Sequence, residues 1–461
     1  MAFEVETKVK SSFPGGVHPP ERKELTAKTP IEPGFAVKQV TVLLSQHIGA
    51  ACEPTVKKGD EVKTGQKIGD SAAFISAAVH SPVSGKVKEI SLQPHAVLGR
   101  GLGIVIDADT ENSRPKQPNS NRFDRDFDVD KYPKQEIRDA VRGSGIVGMG
   151  GAGFPTSVKI EPDVKKPKEM TIINGCECEP YITCDYRLML EWTDQIIAGA
   201  KLACKASGCQ EVLIAIEDNK PEAVRVIAEA LQQHKRSDFM EVVSVRTKYP
   251  QGGERQLINS VLGKHVPTGG IPPMIGVVVL NVATVAAIAE AVVCGEPLTH
   301  RVVTVTGEAV DKPGNFYVPI GTRVGELIDF CGGVTEKAAK VVLGGPMMGI
   351  AIADLTTPVT KTTNSITILT KDQIGKAKFQ KRTTPCIRCG RCIEACPEHL
   401  NPTRIAHAVK YDLLDLAESY YMSACIECGC CSYVCPANIE LAGLIKTGKI
   451  LKARQKKRMP D

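Results

Sequence analysis

The sequence predicts a multidomain chain, part α/β and part α+β, that ends in a small helical domain organised by cysteine. Three observations predict this. A chain of 461 residues is too long for one compact core and divides into about three or four domains. Its hydrophobic pattern changes along the chain, from short β-branched runs broken by glycine, to alternating helix and strand periods, to strands again. Eight of its 17 cysteines form two matched runs near the C-terminus. Hydrophobic content of 42% and charged content of 24% are those of an ordinary soluble globular protein.

Residues 1–109 read as the first module. Between about residues 40 and 106, Val56-Lys-Lys-Gly59-Asp60-Glu-Val62-Lys-Thr-Gly65-Gln66-Lys-Ile68-Gly69 alternates apolar and polar residues between turns, the signature of short half-buried strands. With Val79-His80-Ser81-Pro82-Val83-Ser84-Gly85-Lys86-Val87 it resembles the hammerhead of biotinyl and lipoyl domains, a barrel-sandwich hybrid. Those domains carry a modified lysine at a hairpin tip between the two phrases. Here that span, residues 71–79, has no lysine, so a docking or scaffold module is expected rather than a swinging-arm carrier.

Residues 110–135, dense in Asn, Pro, Asp, Arg and Lys, have linker composition. Residues 136–298 alternate helical and strand patterns as an α/β domain does. Within them, the apolar stretch 275–294 has spanning length. It is interrupted by Asn281, Thr284 and Glu290, so it reads as a buried strand feeding an alanine-rich helix. Residues 299–355 give strand signals around glycine turns, with a short helix near residues 324–330, as in a small β-grasp module of the SLBB type. Residues 356–380 read as a second polar link, and residues 381–461 as the cysteine domain, with a helix from Pro402 to about Glu418 and another after Asn438.

The two runs are Cys386-x-x-Cys389-x-x-Cys392-x-x-x-Cys396-Pro397 and Cys425-x-x-Cys428-x-x-Cys431-x-x-x-Cys435-Pro436. This is the bacterial ferredoxin spacing for two [4Fe-4S] clusters, in which the fourth cysteine of each run ligates the other cluster. Cys386, Cys389, Cys392 and Cys435 are therefore expected on one cluster, and Cys425, Cys428, Cys431 and Cys396 on the second. Zinc sites instead come as pairs of CxxC knuckles. Seventeen cysteines, nine more than two clusters use, fit a reducing cytoplasm better than an oxidising compartment, and the polar N-terminus shows no signal peptide. Cys176, Cys178 and Cys184 could bind another metal or simply pack. Cys430 reads as a bystander. The formal charge of +6 is small for this size. The basic tail (Lys449, Lys452, Arg454, Lys456, Lys457 and Arg458) reads as a solvated end or a contact for anionic lipid or an acidic partner, and nothing further points to nucleic acid.

The α/β domain contains Gly148-Met-Gly150-Gly151-Ala-Gly153-Phe154-Pro155-Thr156. This includes G-x-G-x-x-G, but a dinucleotide fingerprint must follow a strand, and residues 136–142 have a helical pattern. The loop by itself says only that backbone amides could cradle a phosphate or a flat ring. With Lys159, it resembles the flavin loop of the NADH-binding subunit of respiratory complex I. Three further phrases are similar to that family in order: Asn174-Gly-Cys-Glu177-Cys-Glu179-Pro180, Gly252-Gly253-Glu254-x-x-Leu257-x-Asn259-Ser260, and Leu280-Asn281-Val-Ala-Thr284.

The resemblance implies a complex-I-like domain that binds FMN and NAD(H). Gly150, Gly151, Gly153 and Lys159 would face the flavin phosphate and ribityl chain. Asn174, Glu177, Gly252, Asn281 and Thr284 would complete the flavin site. Phe154 would stack near the nicotinamide, Glu179 would shape its pocket and Glu254 would lie close by. An acidic family position is Cys176 here and another is Gly253, and the residues that hold the adenine end have no clear match around residues 263–267.

The order of modules, preceded by Phe13-Pro-Gly-Gly16-Val-His18-Pro-Pro20, closely resembles the RnfC family. Its members belong to the Rnf complex, a bacterial membrane-bound ferredoxin:NAD+ oxidoreductase coupled to Na+ or H+ transport. The resemblance implies an NAD(H)-reacting subunit on the cytoplasmic side of the membrane, attached peripherally to the rest of the complex and linked indirectly to ferredoxin. NADH and FMN would exchange a hydride, and single electrons would pass through the clusters. The alternatives are a cobalamin reductase of bacterial microcompartments, which has its barrel-sandwich toward the C-terminus, and a non-catalytic electron relay or scaffold.

Overall fold

The computed structural model describes residues 9–110, 113–118, 122–162, 166–374 and 383–458. The central α/β domain is built on a five-stranded parallel sheet. Its strand order is Val9–Lys10, Met240–Val245, Glu211–Glu217, Met170–Gly175, Val277–Asn281. Parallel strands covered on both faces need continuous apolar runs, and Ile172, Ile173, Ile214, Ile216, Val278 and Leu280 are all buried. Because the strands are parallel, the loops after residues 175, 217, 245 and 281 gather at one edge, where α/β sheets place their ligands.

The apolar stretch 275–294 supplies the strand Val277–Asn281 and the buried helix Val282–Ala289, with the Asn281 side chain capping that helix by accepting from Ala283 N at 2.9 Å. No described helix is long and apolar enough to cross a membrane. The helix Thr193–Ser207 lies so close to this second helix that a Cβ on Gly199 would meet the Val285 carbonyl oxygen at 1.8 Å.

The barrel-sandwich is two small sheets packed face to face. One orders Gln39–Leu43, Gly99–Ala108, Gly85–His95 and Glu61–Val62. The other orders Glu53–Pro54, Lys67–Asp70 and Val79–His80. Val40, Val42, Ile68, Val79, Ile104 and Ile106 fill the space between them. The β-grasp module is a six-stranded mixed sheet carrying the helix Val324–Phe330. In the cysteine domain the helices Pro402–Lys410 and Leu441–Arg458 pack side by side. They meet closely, since a Cβ on Gly448 would touch a Val409 methyl at 2.4 Å.

Four features differ from the expected pattern. The strand Ile31–Pro33, expected within the first module, pairs in parallel with Gly314–Pro319 in the β-grasp sheet. Residues 123–129, expected as linker, bury Phe123, Phe127 and Val129 in the main core. The strand Ser365–Thr370, also expected as linker, lies inside the β-grasp sheet between Ala338–Leu343 and His300–Thr306. Residues 375–380 of that link lie outside the described residues. Lastly, the expected helix from Pro402 to about Glu418 is broken, because Asp412 takes a positive φ of 58° and a second helix, Leu414–Ser419, begins after it. A strand of three to six residues acquires its partner from whichever sheet edge is open, which short-range pattern does not encode.

The tight helix pair at Gly199 can be tested directly. Gly199→Ala should overpack it and lower stability by about 1–3 kcal/mol, read as a lower midpoint in thermal unfolding. An unchanged midpoint would show that the helices separate without cost.

Candidate functional site

The glycine loop connects the helix Lys134–Gly143 to the short helix Thr156–Ile160. It folds back as a tight hairpin, with Gly148 N donating to Phe154 O at 2.9 Å and Gly153 N to Gly148 O at 3.2 Å. Gly153 has φ 66° and Gly151 has φ 131°, conformations that favour glycine. Met149 N donates to Thr284 Oγ1 at 2.9 Å, so Thr284 supports the loop from beneath. A Cβ on Gly150 would press on Asn281 at 3.3 Å. The exposed amides of Gly150, Gly151 and Ala152 have no hydrogen-bond partner among the described residues. A loop with unspent donors beside a lysine fits a phosphate-bearing cofactor.

The other expected residues meet at this sheet edge. Asn174 and Asn281 are register partners at the ends of adjacent parallel strands. Asn174 Nδ2 donates to Gly252 O at 2.8 Å, and Asn281 Nδ2 donates to Asp185 Oδ2 at 2.6 Å. Lys159 Nζ, half-buried, bonds Glu254 Oε2 at 3.0 Å and Val279 O at 3.3 Å. Lys159, Asn174, Gly252, Glu254, Asn281 and Gly150 thus line one rim.

Glu177 lies behind that rim. Its Oε1 accepts from Asp185 N at 2.8 Å, and Lys23 Nζ stands 3.9 Å from Oε2. Burial, with Glu177 next to it, pushes the Asp185 carboxyl up to about 7. Cys184 faces Glu177 at 3.6 Å, whereas Cys176 points to Ala215 O at 3.6 Å and Cys178 accepts from Gly252 N at 3.2 Å. The three thiols therefore serve separate partners.

Glu179 is engaged by the β-grasp module. Its carboxylate accepts from Met347 N at 3.1 Å and Met348 N at 2.8 Å, both from the β-grasp module, and lies 3.5 Å from Tyr249 Oη. Burial pushes its carboxyl up to about 7.

Each cysteine run winds through a repeated left-handed turn, with Arg388, Gly390 and His399 in the first and Glu427, Gly429 and Asn438 in the second all at positive φ. Such turns aim amides at sulfur. Arg388 N reaches Cys386 Sγ and Glu427 N reaches Cys425 Sγ, each at 3.4 Å. Cys396, Cys425, Cys428 and Cys431, with Cys430 beside them, line one small cavity. That cavity brings Cys396 of the first run to the three motif cysteines of the second, the grouping a crossed cluster requires. At the opposite end, Thr384 N donates to Ala437 O at 3.1 Å, laying the start of the first run beside the segment after Cys435. Cys386 and Cys389 are exposed there, and Cys392 and Cys435 are buried.

The inner group faces the α/β domain. Tyr249, 2% exposed, donates its hydroxyl to the Cys428 carbonyl at 2.8 Å. Gly15 and Gly16 wedge between the two domains. Gly16 N bonds Ala395 O at 3.0 Å, and a Cβ on Gly15 would meet the Cys396 carbonyl oxygen at 2.8 Å. Tyr249, Lys23, Asp185 and residues 347–348 were not singled out from sequence. Of these, Tyr249 stands just before the Gly252-Gly253-Glu254 phrase and Asp185 directly follows Cys184.

The fold and site define a flavin- and iron–sulfur-type electron-transfer protein. Family models match in the same order along the chain: the RnfC barrel sandwich hybrid domain over residues 11–111, the Nuo51 FMN-binding domain over 141–290, the SLBB domain over 302–351 and the 4Fe-4S dicluster domain over 378–436. The chain is 43% identical over 410 residues to the C-subunit of the proton-translocating ferredoxin:NAD(+) oxidoreductase complex of Clostridium ljungdahlii, covering 89% of this chain and 87% of that one. It is 41% identical to the C-subunit of the Na(+)-translocating complex of Acetobacterium woodii, covering 88% and 89%. The chain belongs to the RnfC family, the C-subunits of these ferredoxin:NAD+ oxidoreductase complexes. A solved NAD+-reducing [NiFe]-hydrogenase shares the fold with a TM-score of 0.51 at 20% identity, over 74% of this chain and 65% of that one.

The site geometry sets two expected outcomes. Lys159→Met should weaken FMN binding about tenfold or more, the worth of one charge-assisted contact, in a flavin fluorescence titration. Unchanged affinity would remove Lys159 from the phosphate site. For Glu179, a carboxyl raised to about 7 keeps its proton in the folded state between its unfolded value and 7. Its contribution to stability is therefore present at low pH and is lost as pH rises through 7. Glu179→Gln should flatten that fall in thermal midpoint between pH 5 and 8, and a parallel decline in both proteins would assign the fall to other groups.

Proposed function

We propose that this chain is the NAD(H)-reacting electron-transfer subunit of a membrane-bound ferredoxin:NAD+ oxidoreductase complex that moves Na+ or H+. The reading rests above all on the Tyr249 bridge, which joins the edge carrying the glycine loop to the backbone of an inner cluster cysteine. When bound, FMN supplies hydride exchange with NADH and single-electron exchange with [4Fe-4S] clusters.

The chain's residues supply placement. Lys159 and the free amides of Gly150 and Gly151 hold the phosphate end, and Gly153 keeps the hairpin closed. Asn174 and Asn281 present polar atoms to the ring or ribityl chain, with Gly252 and Thr284 fixing the loops around them. Glu177 keeps Asp185, and through it Asn281, in position. Phe154 offers the stacking face toward the nicotinamide, with Glu254 at the mouth. Glu179 orders residues 347–348 as a wall of the same region. Cys396, Cys425, Cys428 and Cys431 would hold the cluster nearer the flavin, and Cys386, Cys389, Cys392 and Cys435 the one nearer the surface, where a partner protein of the complex, linked indirectly to ferredoxin, would dock. The clusters would supply single-electron exchange. Ion movement belongs to the membrane part of the complex, and this chain attaches to it peripherally on the cytoplasmic side.

The test is anaerobic reconstitution followed by NADH addition. Bleaching of both flavin and cluster absorbance is expected. Clusters that assemble beside a flavin NADH never reduces would sink the reading. Cys435→Ser should keep roughly half the iron and still show NADH-driven reduction of the remaining cluster, whereas Cys396→Ser should lose the cluster nearer the flavin. Full iron content in either variant would contradict the crossed ligation.

A further inference from the structure

The barrel-sandwich has no carrier lysine in the span 71–79, yet a buried lysine from outside the module reaches the end of that span. Lys361, 1% exposed, approaches from the β-grasp side. Its Nζ donates at 2.6 Å to the Ala78 carbonyl, inside the lysine-free span 71–79, and at 2.6 Å to the Gly145 carbonyl at the root of the glycine loop. Its own peptide is held on both sides. Lys361 N donates to Gln46 Oε1 at 2.9 Å, and the buried Arg301 guanidinium donates to Lys361 O. Gly145 has φ 65°, and a Cβ there would strike Ala78 O at 2.0 Å, so the two modules touch backbone to backbone.

At the far end of the hairpin, Ile48 N donates to Gly153 O at 3.1 Å. A Cβ on Gly153 would meet the Thr362 methyl at 2.8 Å and His47 Cα at 3.5 Å. The outer side of the hairpin is therefore gripped at its root by Lys361 and near its tip by residues 46–48.

We propose that the barrel-sandwich is an internal clamp on the flavin loop and that Lys361 is the positioning residue coupling the two. Resting on the reading of that loop as the FMN site, this gives the carrier-like module a purpose that needs no swinging arm. No described carboxylate forms an ion pair with Lys361, and burial pushes its ammonium down to about 7. A buried charge without a counter-ion costs stability, so its gain lies in where it puts Gly145 and Ala78. Cys52, His47, His80 and Arg301 are the other titratable or charged groups grouped around it.

The experiment uses the full chain with its clusters, comparing wild type, Lys361→Met, Ile48→Pro and the exposed control Lys58→Met. Two quantities are read: FMN affinity by fluorescence titration, and amide hydrogen exchange over residues 146–156 without flavin. Lys361→Met and Ile48→Pro should each weaken FMN about tenfold, the worth of one buried hydrogen bond to a charged or backbone group. They should also speed exchange in that loop, with iron content unchanged and Lys58→Met like wild type. Ile48→Pro lies at an exposed bend and removes the N–H that the Gly153 carbonyl accepts, with Ile48→Ala as the control for the lost side chain, so it carries the test if Lys361→Met does not fold. The pH profile separates positioning from bulk stability, since wild-type affinity should decline as Lys361 loses its proton near pH 7 and the Lys361→Met profile should lack that step. Wild-type affinity and wild-type loop exchange in Ile48→Pro or in folded Lys361→Met overturn the clamp. A wild-type protein that binds no FMN overturns the flavin reading instead.

Discussion

The architecture depends on one close approach, where the chain near Tyr249 meets the cysteine domain. An electron path between two cofactor sites needs a short contact, and the domains reach it by close backbone approach at Gly15 and Gly16 and by packing Val17 and Tyr249 against Ala395, Cys428 and Cys430. Gly15 and Gly16 make this possible, since any side chain at Gly15 would collide with the Cys396 carbonyl. The Tyr249 hydroxyl then spans the remaining gap to Cys428. Val17 and Tyr249 form an antiparallel bridge, so the N-terminal segment and the sheet edge act as one surface toward the inner thiols. The Phe13-Pro-Gly-Gly16 phrase, unremarkable by composition, is thereby a structural pin between flavin and cluster domains.

The same economy of contact explains the charged groups sealed inside. Glu177 and Asp185 sit together under the flavin edge, and Lys23 and Arg301 from other parts of the chain temper their repulsion. Lys23 also donates to the carbonyls of Glu179 at 3.0 Å and Ile182 at 2.6 Å, fixing the turn after the Met170–Gly175 strand. Such groups lose hydration on burial and depend on their partners to offset it; among the described residues Glu177 Oε2 has only the Lys23 ammonium at 3.9 Å. Here the arrangement orders loops contributed by three modules, which is the rigidity a preorganised cofactor site needs.

Much of the fold was legible because its signals are local. The parallel strands announce themselves as apolar runs, the helix Lys134–Gly143 by its amphipathic period, and the helix Val324–Phe330 by its flanking turns. Partners of short strands were not legible. Ile31–Pro33 and Ser365–Thr370 join the β-grasp sheet from either side in sequence, and three to six residues of β-branched or polar character fit any open edge. Phe123, Phe127 and Val129 are buried in a segment whose composition looks like linker, because three anchors suffice to pin a chain that is otherwise polar.

By itself, the sequence determined the chemistry: eight cysteines at cluster spacing and a glycine loop followed by Lys159. These work through spacings of a few residues, so covalent geometry carries them. Only the tertiary structure decided how those parts stand to one another. It turned Cys396, Cys425, Cys428 and Cys431 inward and left Cys386 and Cys389 at the surface. It paired the Glu179 carboxylate with the amides of residues 347–348, and it set Lys361 against the root of the flavin loop. Each of these depends on contacts between residues far apart in the chain. Such contacts are fixed by which surfaces pack without leaving a buried polar group unmatched, and no local pattern records that choice.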